Sequence, residues 1–156
     1  MKRQFHGYFL AAFTLIAVLS TCAPLHAETM FGVRGGSYTD MHKGFIGVEL
    51  LHRISGNWFI NPNYEYVFRD NGDFSTLNLD FHYDLVNTRS YSFWLGAGPA
   101  IVFDNPPGRA SSKTDFGGNI LAGIGFPMGE VEPYVQGKVL IYSGNSEGVV
   151  GIGIRF

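Results

Sequence analysis

The sequence predicts an all-β fold, an eight-stranded antiparallel up-and-down transmembrane β-barrel, and three observations indicate it. Residues 148–156 alternate large apolar side chains with glycines and one arginine, and they end on Phe156. Such a strand suits lipid on one face and a narrow interior on the other. Similar alternation recurs along the sequence, with no helical period of useful length. The composition is 46% hydrophobic and 15% charged, which is rich for a soluble protein but short of a helical membrane protein.

Residues 1–27 have the pattern of a secretory signal peptide. Lys2 and Arg3 precede an apolar run over residues 8–19, and small residues ending on Ala27 form a cleavage site. The apolar run is too short to span a bilayer comfortably as a retained anchor. Residues 28–156 are therefore the predicted barrel domain. Loss of two cations and no acid would shift the net charge from −2 to −4, so no basic character indicates nucleic acid as a partner.

The one cysteine of the sequence, Cys22, lies within this leader. Residues 19–22 resemble a bacterial lipoprotein box, in which the cysteine is acylated and becomes the new N-terminus. Thr21 stands where that motif has Gly, Ala or Ser, and both interpretations stay open. The barrel domain itself contains no cysteine, so its stability must come from the backbone ladder and from packing.

The first three predicted strands alternate apolar and polar side chains. Residues 29–38 end at a polar turn, and residues 44–54 set isoleucine, valine and leucine against glycine and glutamate before the turn at residues 55–57. The third strand, residues 58–68, places aromatic side chains on one side and asparagines with a glutamate on the other. Within it, Pro62 is expected at a bulge or a sheet edge, because proline cannot donate to a ladder.

The next three predicted strands show the clearest alternation. An Asp-Asn-Gly-Asp hairpin signal at residues 70–73 precedes residues 74–86, where apolar side chains interleave with asparagine, aspartate and histidine. Residues 90–103 place aromatic and aliphatic side chains on one face of the strand, and small side chains with a tryptophan on the other. Residues 104–114 form the one long loop, and residues 115–126 again set apolar side chains against glycines.

The last two predicted strands bring the total to eight, an even number. Residues 131–142 are ambiguous in phase, and residues 143–147 turn the chain into the final strand. One side of the ambiguous strand carries Tyr134, Gln136 and Lys138. Strands of about 9–11 residues cross a tilted bilayer, and an even number of them puts both termini on one side.

The second face of these strands favours lipid on the outside of the barrel. A soluble barrel would present a dense charged surface there, whereas this face is often glycine. Small residues suit the crowded interior of an eight-stranded barrel. The scattered polar residues of the same face are therefore predicted to lie inside and to pair. They are Arg34, Glu49, Glu65, Asp80, His82, Lys138 and Arg155.

Aromatic residues are predicted to form two rings at opposite strand ends, as membrane interfaces favour. With the N-terminus in the periplasm, the far ring comprises Tyr38, Phe45, Phe68, Phe74, Phe103, Phe116 and Tyr142. The near ring comprises Phe31, Trp58, Tyr91, Phe126, Tyr134 and Phe156.

Several segments resemble the small outer-membrane β-barrel superfamily that includes the OmpA transmembrane domain and the opacity-type surface proteins. These segments are residues 95–99, 114–119, 122–127, 132–135 and the Gly-x-Arg-Phe ending. The resemblance implies a protein of the bacterial outer membrane, with outer-membrane lipid and lipopolysaccharide as its surroundings. It also implies an assembly signal, carried by Ile152, Ile154 and Phe156 and read by the outer-membrane insertion machinery. The family's frequent long surface loops are absent from this sequence.

The predicted function is a structural or surface-interaction role without enzymatic activity or cofactor; a conducting pore is disfavoured because eight strands leave space mainly for side chains. One alternative is a hydrolase that resembles the lipid A 3-O-deacylases, whose His-x-Ser motif corresponds here to residues 141–143. Ile141 replaces the histidine, so Ser143 lacks its base, although Glu147 could stand for the acid. A second alternative is a soluble periplasmic barrel that binds an apolar ligand. The oligomeric state stays open.

Other polar residues have two interpretations each. His82, between Asp80 and Asp84, is expected to be an interior hydrogen-bonded histidine rather than a metal ligand, because no second histidine has a defined partner. Four loop residues could hold a cation near lipopolysaccharide phosphates or simply be solvated, and two loop cations could contact those phosphates. The four are Asp40, His42, Asp70 and Asp73, and the two cations are Arg109 and Lys113.

Overall fold

The barrel is a single sheet of antiparallel strands that closes on itself. The computed structural model describes residues 29–106 and 112–156, so the predicted signal peptide, with Cys22, lies outside the described residues. The strands are β1 (Thr29–Tyr38), β2 (Lys43–Ser55), β3 (Trp58–Val67), β4 (Asp73–Asn87), β5 (Ser92–Asn105), β6 (Lys113–Gly125), β7 (Glu132–Tyr142) and β8 (Asn145–Arg155). Each pairs with the next, and β8 pairs with β1, which confirms the eight-stranded up-and-down barrel. Within residues 29–106 and 112–156, no helical segment has the length and hydropathy needed to span a bilayer.

The barrel has two ends that differ in their connections. The near end carries residues 29 and 156 and the turns at residues 56–57, 88–91 and 126–131. The far end carries the connections at residues 39–42, 68–72, 106–112 and 143–144. Ser143 and Gly144 both have positive φ, 46° and 77°, which suits a two-residue hairpin turn. For that reason β8 begins at Asn145, three residues earlier than predicted.

The closing seam between β1 and β8 depends on a close backbone approach. Seven residue pairs join the strands, from Gly32 opposite Arg155 to Tyr38 opposite Val149. A Cβ atom at Gly36 would lie 2.0 Å from the carbonyl oxygen of Val150, so only glycine fits there. The last strand of the sequence is therefore locked edge to edge with the first.

Side chains alternate between an exposed apolar outer face and a buried interior. The phase of β7 is resolved, since Gln136 and Lys138 are buried while Val135 and Val139 are exposed. Exposed large apolar side chains occur on all eight strands, among them Val33, Ile46, Trp58, Phe81, Leu95, Ile120, Val139 and Ile152. An apolar belt therefore surrounds the whole barrel.

Pro62 does not lie at a bulge or a sheet edge, as the sequence had predicted. It lies inside β3, and its pairing with Leu79 of β4 is continuous. The pairing with β2 passes from Glu49–Asn63 directly to His52–Ile60. Proline has no N–H to donate, and the sheet accommodates it by interrupting the ladder on this one side.

The predicted far ring of aromatic residues is partly wrong. Tyr38, Phe45 and Phe74 are buried inside the barrel, because each has the parity of the interior residues on its own strand. Tyr142 shares the interior parity of Lys138 and is half-buried. Phe68 and Phe116 do point outwards. The outer face therefore has a sparser far ring than predicted.

The predicted near ring is present except for one member. Five of its residues are exposed on the outer face: Phe31, Trp58, Tyr91, Phe126 and Phe156. Tyr134 is instead buried, because it belongs to the inward side of β7. Trp58 packs edge-on against Tyr83 at 5.0 Å, and Phe31 packs in the same way against Phe156 at 5.5 Å.

The polar interior as the candidate functional site

The far third of the interior is filled by an apolar cluster. Its buried members are Tyr38, Phe45, Val67, Phe74, Ala100, Val102, Leu140 and Val149, with Met41 and Tyr142 packed against them. Tyr38 contacts Phe45 and Phe74 edge-on, with ring centroids 5.5 and 5.8 Å apart. Arg69 covers the cluster from the loop side, with its guanidinium 4.6 Å from the Phe74 ring. We call this set of residues the far plug.

Beneath the far plug, Glu65 is the centre of a buried hydrogen-bond cluster. Lys138 Nζ donates to both of its carboxylate oxygens, at 2.9 and 2.8 Å. Arg34 pairs with the same carboxylate, and the Tyr38 hydroxyl donates to it. Thr76 Oγ1 adds a further donor at 3.3 Å. Glu65 is 1% exposed, so its charge depends on these partners rather than on water.

Glu49 is the centre of a second cluster, nearer the termini. Arg155 Nε donates to it at 2.8 Å and Asn61 Nδ2 at 3.0 Å. Arg34 Nη1 reaches it at 3.4 Å, so Arg34 joins both clusters. Arg155 also contacts Glu132 at 3.3 Å, and the Ser92 hydroxyl donates to Glu132 at 2.6 Å.

Amide side chains from three strands connect the two clusters to Asp80. Asn63 Nδ2 donates to one carboxylate oxygen of Asp80 at 2.8 Å, and Asn119 Nδ2 donates to the other at 3.0 Å. Asn78 Nδ2 donates to Asn63 Oδ1 at 2.8 Å, and Asn78 Oδ1 accepts from Asn119 at 2.9 Å. Polar groups thus span the barrel from β3 to β6 and leave little space between them.

An aromatic group lies below these clusters, at the near end of the interior. His82 stacks on Trp94 with the ring planes 8° apart, and Trp94 meets Tyr134 edge-on. The guanidinium of Arg155 lies 4.7 Å from the Trp94 ring and 4.2 Å from the Tyr134 ring. Arg155 therefore combines ion pairs with two cation–π contacts.

Trp94 fits across the interior only because β6 has a glycine beside it. A Cβ atom at Gly123 would lie 2.3 Å from the indole ring. We expect Gly123→Ala to lower the free energy of unfolding by about 1–3 kcal/mol, because the ring must leave its position. Gly137→Ala is the matched control, since a Cβ there meets nothing within 4 Å. Urea titration of the refolded barrel measures both, and equal stability of the two variants would contradict this packing.

All seven polar residues assigned to the interior from the sequence are buried in it. Glu49, Glu65, Asp80, His82 and Lys138 belong to this set, together with Arg34 and Arg155. The structure brings six of them into the two clusters or their amide links, and it places His82 on Trp94 instead. Sequence reasoning missed Asn119 and Glu132 as members, although their strand parity indicates them.

The near end of the interior contains a cavity of about 180 Å³. Its most deeply buried wall consists of His82, Trp94 and Arg155, and Asp84 and Glu132 lie beside them. Further lining residues include Arg53, Phe59, Asn87, Ser92 and Val131. The interior is thus closed at the far end and open to a small cavity at the near end.

At the far end, the polar loop residues are engaged with one another. Lys43 pairs with Asp70, and this hydrogen bond lowers the pKa of the exposed Asp70 carboxyl. His42 Nδ1 lies 3.0 Å from the backbone oxygen of Asp40, and Asp73 accepts from Tyr66. The remaining cations are placed as follows: Arg69 pairs with Asp104, Lys113 pairs with Asp115, and Arg109 lies outside the described residues.

The residues compared with the hydrolase motif take separate positions in the structure. Ile141 points outwards, and Ser143 lies in the turn after β7. Glu147 is buried and accepts the backbone N–H groups of Asp40 and Met41 at 2.9 and 3.0 Å. Its role is to hold the loop between β1 and β2. The described part of the chain also contains no cluster of side chains suited to hold a metal ion.

Comparison with solved structures identifies the architecture. The N-terminal barrel domain of OprF from Pseudomonas aeruginosa matches with a TM-score of 0.72 at 15% identity, over 83% of this chain and 96% of that one. The chain has the fold of the small outer-membrane barrels. Neisserial surface protein A matches with a TM-score of 0.65 at 14% identity, over 83% of this chain and 97% of that one. No family model and no curated protein sequence matches.

A third structure with this fold contains a bound ligand. The attachment invasion locus protein Ail of Yersinia pestis, in complex with the heparin analogue sucrose octasulfate, has a TM-score of 0.57 at 12% identity. The match covers 83% of this chain and 96% of that one. At such identities the likeness establishes the fold, and residue roles rest on the geometry of this chain.

Proposed function

We propose that the protein is a non-enzymatic component of the bacterial outer membrane with a structural role. The observation that carries this proposal is the combination of an apolar outer belt with a charged interior. Ile120 and Ile152 on the belt are 62% and 65% exposed, whereas Glu49 and Asp80 inside are fully buried. In water, so large an apolar surface would promote aggregation. In a bilayer it is the surface that contacts lipid.

The filled interior supports a structural role rather than a pore. The far plug includes Tyr38, Phe74 and Leu140, none of which is accessible to solvent. The clusters around Glu65 and Glu49 occupy the middle of the barrel with direct hydrogen bonds. Ions would have to displace both layers to pass.

Two observations support the absence of enzymatic activity. Ser143 has no histidine beside it in the motif position, and Glu147 is engaged by two backbone N–H groups. A serine without a base is not a competent nucleophile. Mass analysis of lipid A from cells with and without the protein tests this point; an altered acyl pattern would establish the hydrolase instead.

The far-end loops favour a structural role over adhesion. The connections span residues 39–42, 68–72, 106–112 and 143–144, so little of the chain extends beyond the strands. Two of the cations near them, Lys43 and Arg69, pair with Asp70 and Asp104. We propose outer-membrane lipid and lipopolysaccharide as the partners of this end, because exposed apolar side chains such as Phe68 and Phe116 extend to the far-end loops.

Cell fractionation tests the proposed location. The protein is expected in the outer-membrane fraction, to require detergent for release, and to migrate differently before and after heating in dodecyl sulfate. Release by osmotic shock without detergent would support the soluble barrel that binds an apolar ligand and would overturn the proposal.

The C-terminal residues are proposed to be the signal read by the outer-membrane insertion machinery. Phe156 is exposed and exchanges two backbone hydrogen bonds with Phe31, at 2.8 and 2.9 Å, while Ile152 and Ile154 share its outer face. Phe156→Asp is expected to reduce the membrane-embedded, heat-modifiable protein in cells by roughly tenfold or more, since the carboxylate replaces the aromatic ring that we propose the insertion machinery recognises. Phe156→Tyr is the control. Wild-type levels of Phe156→Asp would contradict the assignment.

A further inference from the structure

The near-end cavity has the features of a built binding site. Its wall combines His82, Trp94 and Arg155, all at least 98% buried, with the carboxylates of Asp84 and Glu132. The cavity lies at the end of the barrel that carries the chain termini, away from the far plug. None of the interior contacts described for the two clusters closes it.

Three buried nitrogen atoms of this wall have no hydrogen-bond partner among the described residues. They are His82 Nε2, Trp94 Nε1 and Arg155 Nη2. The other guanidinium nitrogens of Arg155 are engaged, Nε by Glu49 and Nη1 by Glu132, so the position of Nη2 is fixed. A buried donor without an acceptor costs about 1–3 kcal/mol, and native proteins satisfy nearly all of them. All three atoms belong to residues that line the cavity, so its wall contains polar groups that the described residues leave unsatisfied.

Carboxylate acceptors also line the cavity. Glu132 accepts from Ser92 and Arg155, and Asp84 accepts from Asn87 at 2.9 Å. Each carboxylate has more acceptor sites than these contacts use. The residues that line the cavity thus include both unsatisfied nitrogen atoms and carboxylate acceptors.

The charges that line the cavity exclude a simple ion as its best occupant. Arg53 and Arg155 contribute two positive charges, and Asp84 and Glu132 contribute two negative ones. A wall without net charge gives an ion little to offset its desolvation. A neutral ligand that both donates and accepts hydrogen bonds fits this arrangement better.

We propose that the near-end cavity binds a small neutral polyhydroxyl compound of monosaccharide size. Hydroxyl groups donate and accept equally well, so they match the mixed wall. At about 30 Å³ per water molecule, 180 Å³ corresponds to about six waters, which is the scale of one hexose. The site faces the chain termini, so in the proposed outer-membrane location it takes its ligand from the periplasm.

Trp94 is itself a reporter of this site. The sequence has two tryptophans, and Trp58→Phe leaves Trp94 alone. The probes are D-glucose and myo-inositol, with sodium acetate as the ionic comparison, added to the folded barrel in an amine-oxide detergent that carries no sugar. We expect a saturable change in Trp94 fluorescence emission with glucose or inositol and no change with acetate. A linear response, as from viscosity alone, or saturation with acetate only, would overturn it.

Two variants and one control locate the binding. Val131 lines the cavity, and Val131→Phe fills it; binding is expected to weaken at least tenfold. Val135→Phe places the same ring on the outer face and is expected to bind as the parent does. Asp84→Asn keeps the shape but loses a charged acceptor, and it is expected to bind several-fold more weakly. Heat-modifiable migration verifies that each variant is folded. Unchanged binding in both Val131→Phe and Asp84→Asn would overturn the assignment, leaving the cavity to water.

Discussion

Replacing Glu65 with alanine is expected to lower the free energy of unfolding by about 3–5 kcal/mol, since removal of one partner leaves the buried charge of Lys138 unpaired. Glu65 is the acceptor for Lys138 and Arg34, whose side chains are 1% and 3% exposed. No other carboxylate contacts Lys138 Nζ within 4 Å among the described residues. The cation would remain buried without its counterion.

The experiment is a urea titration of the refolded barrel in lipid vesicles. Glu130→Ala is the control, because Glu130 is an exposed residue of the turn before β7 and should change stability little. The double variant Glu65→Leu, Lys138→Met removes both charges and is expected to lose less stability than Glu65→Ala. If Glu65→Ala were as mild as Glu130→Ala, the cluster around Glu65 would not exist.

Replacing Ile120 with arginine is expected to cost about 2–4 kcal/mol, the range for a cation on the lipid face near the bilayer midplane. Ile120 lies in the middle of β6, opposite Ala97 and Val139, and its side chain is on the outer face. The cost arises because the cation must leave water for hydrocarbon. On a water-exposed barrel the same change would be nearly neutral.

Two controls separate charge and depth in this prediction. Ile120→Ala removes the apolar side chain without adding charge and is expected to cost less than the arginine variant. Ser146→Arg adds the same charge at the far end of β8, where the side chain is exposed. Equal unfolding free energies for Ile120→Arg and Ser146→Arg would show that both positions are exposed to water, which would contradict the prediction.

Strand parity explains why most of the barrel was predictable from the sequence. In β4, apolar and polar residues alternate over the nine positions 77–85, so Asp80 and His82 had to share one face. The glycine-rich second face then indicated that this side is crowded rather than solvated. This prediction of the inward face did not require knowledge of any side-chain contact.

The partners within the interior were not predictable in the same way. Glu65 meets Lys138 across 73 residues of sequence, and parity alone does not choose among the inward cations. The prediction for the aromatic residues at strand ends was partly wrong for a related reason. Tyr38, Phe45 and Phe74 were assigned from their position along the strand, whereas their parity places them inside. Tyr134 was misplaced because β7 carries apolar residues on both faces.

Quenching of the two tryptophans by brominated lipid tests the orientation of the barrel wall most directly. Trp58 lies on the outer face and is 51% exposed, whereas Trp94 lies inside and is 1% exposed. In vesicles of brominated phosphatidylcholine, the variant that retains only Trp58, Trp94→Phe, should lose much of its emission. The variant that retains only Trp94, Trp58→Phe, should keep nearly all of it. Strong quenching of Trp94 with Trp58 unaffected would mean that the glycine-rich face contacts lipid, and it would contradict an apolar belt turned towards the bilayer.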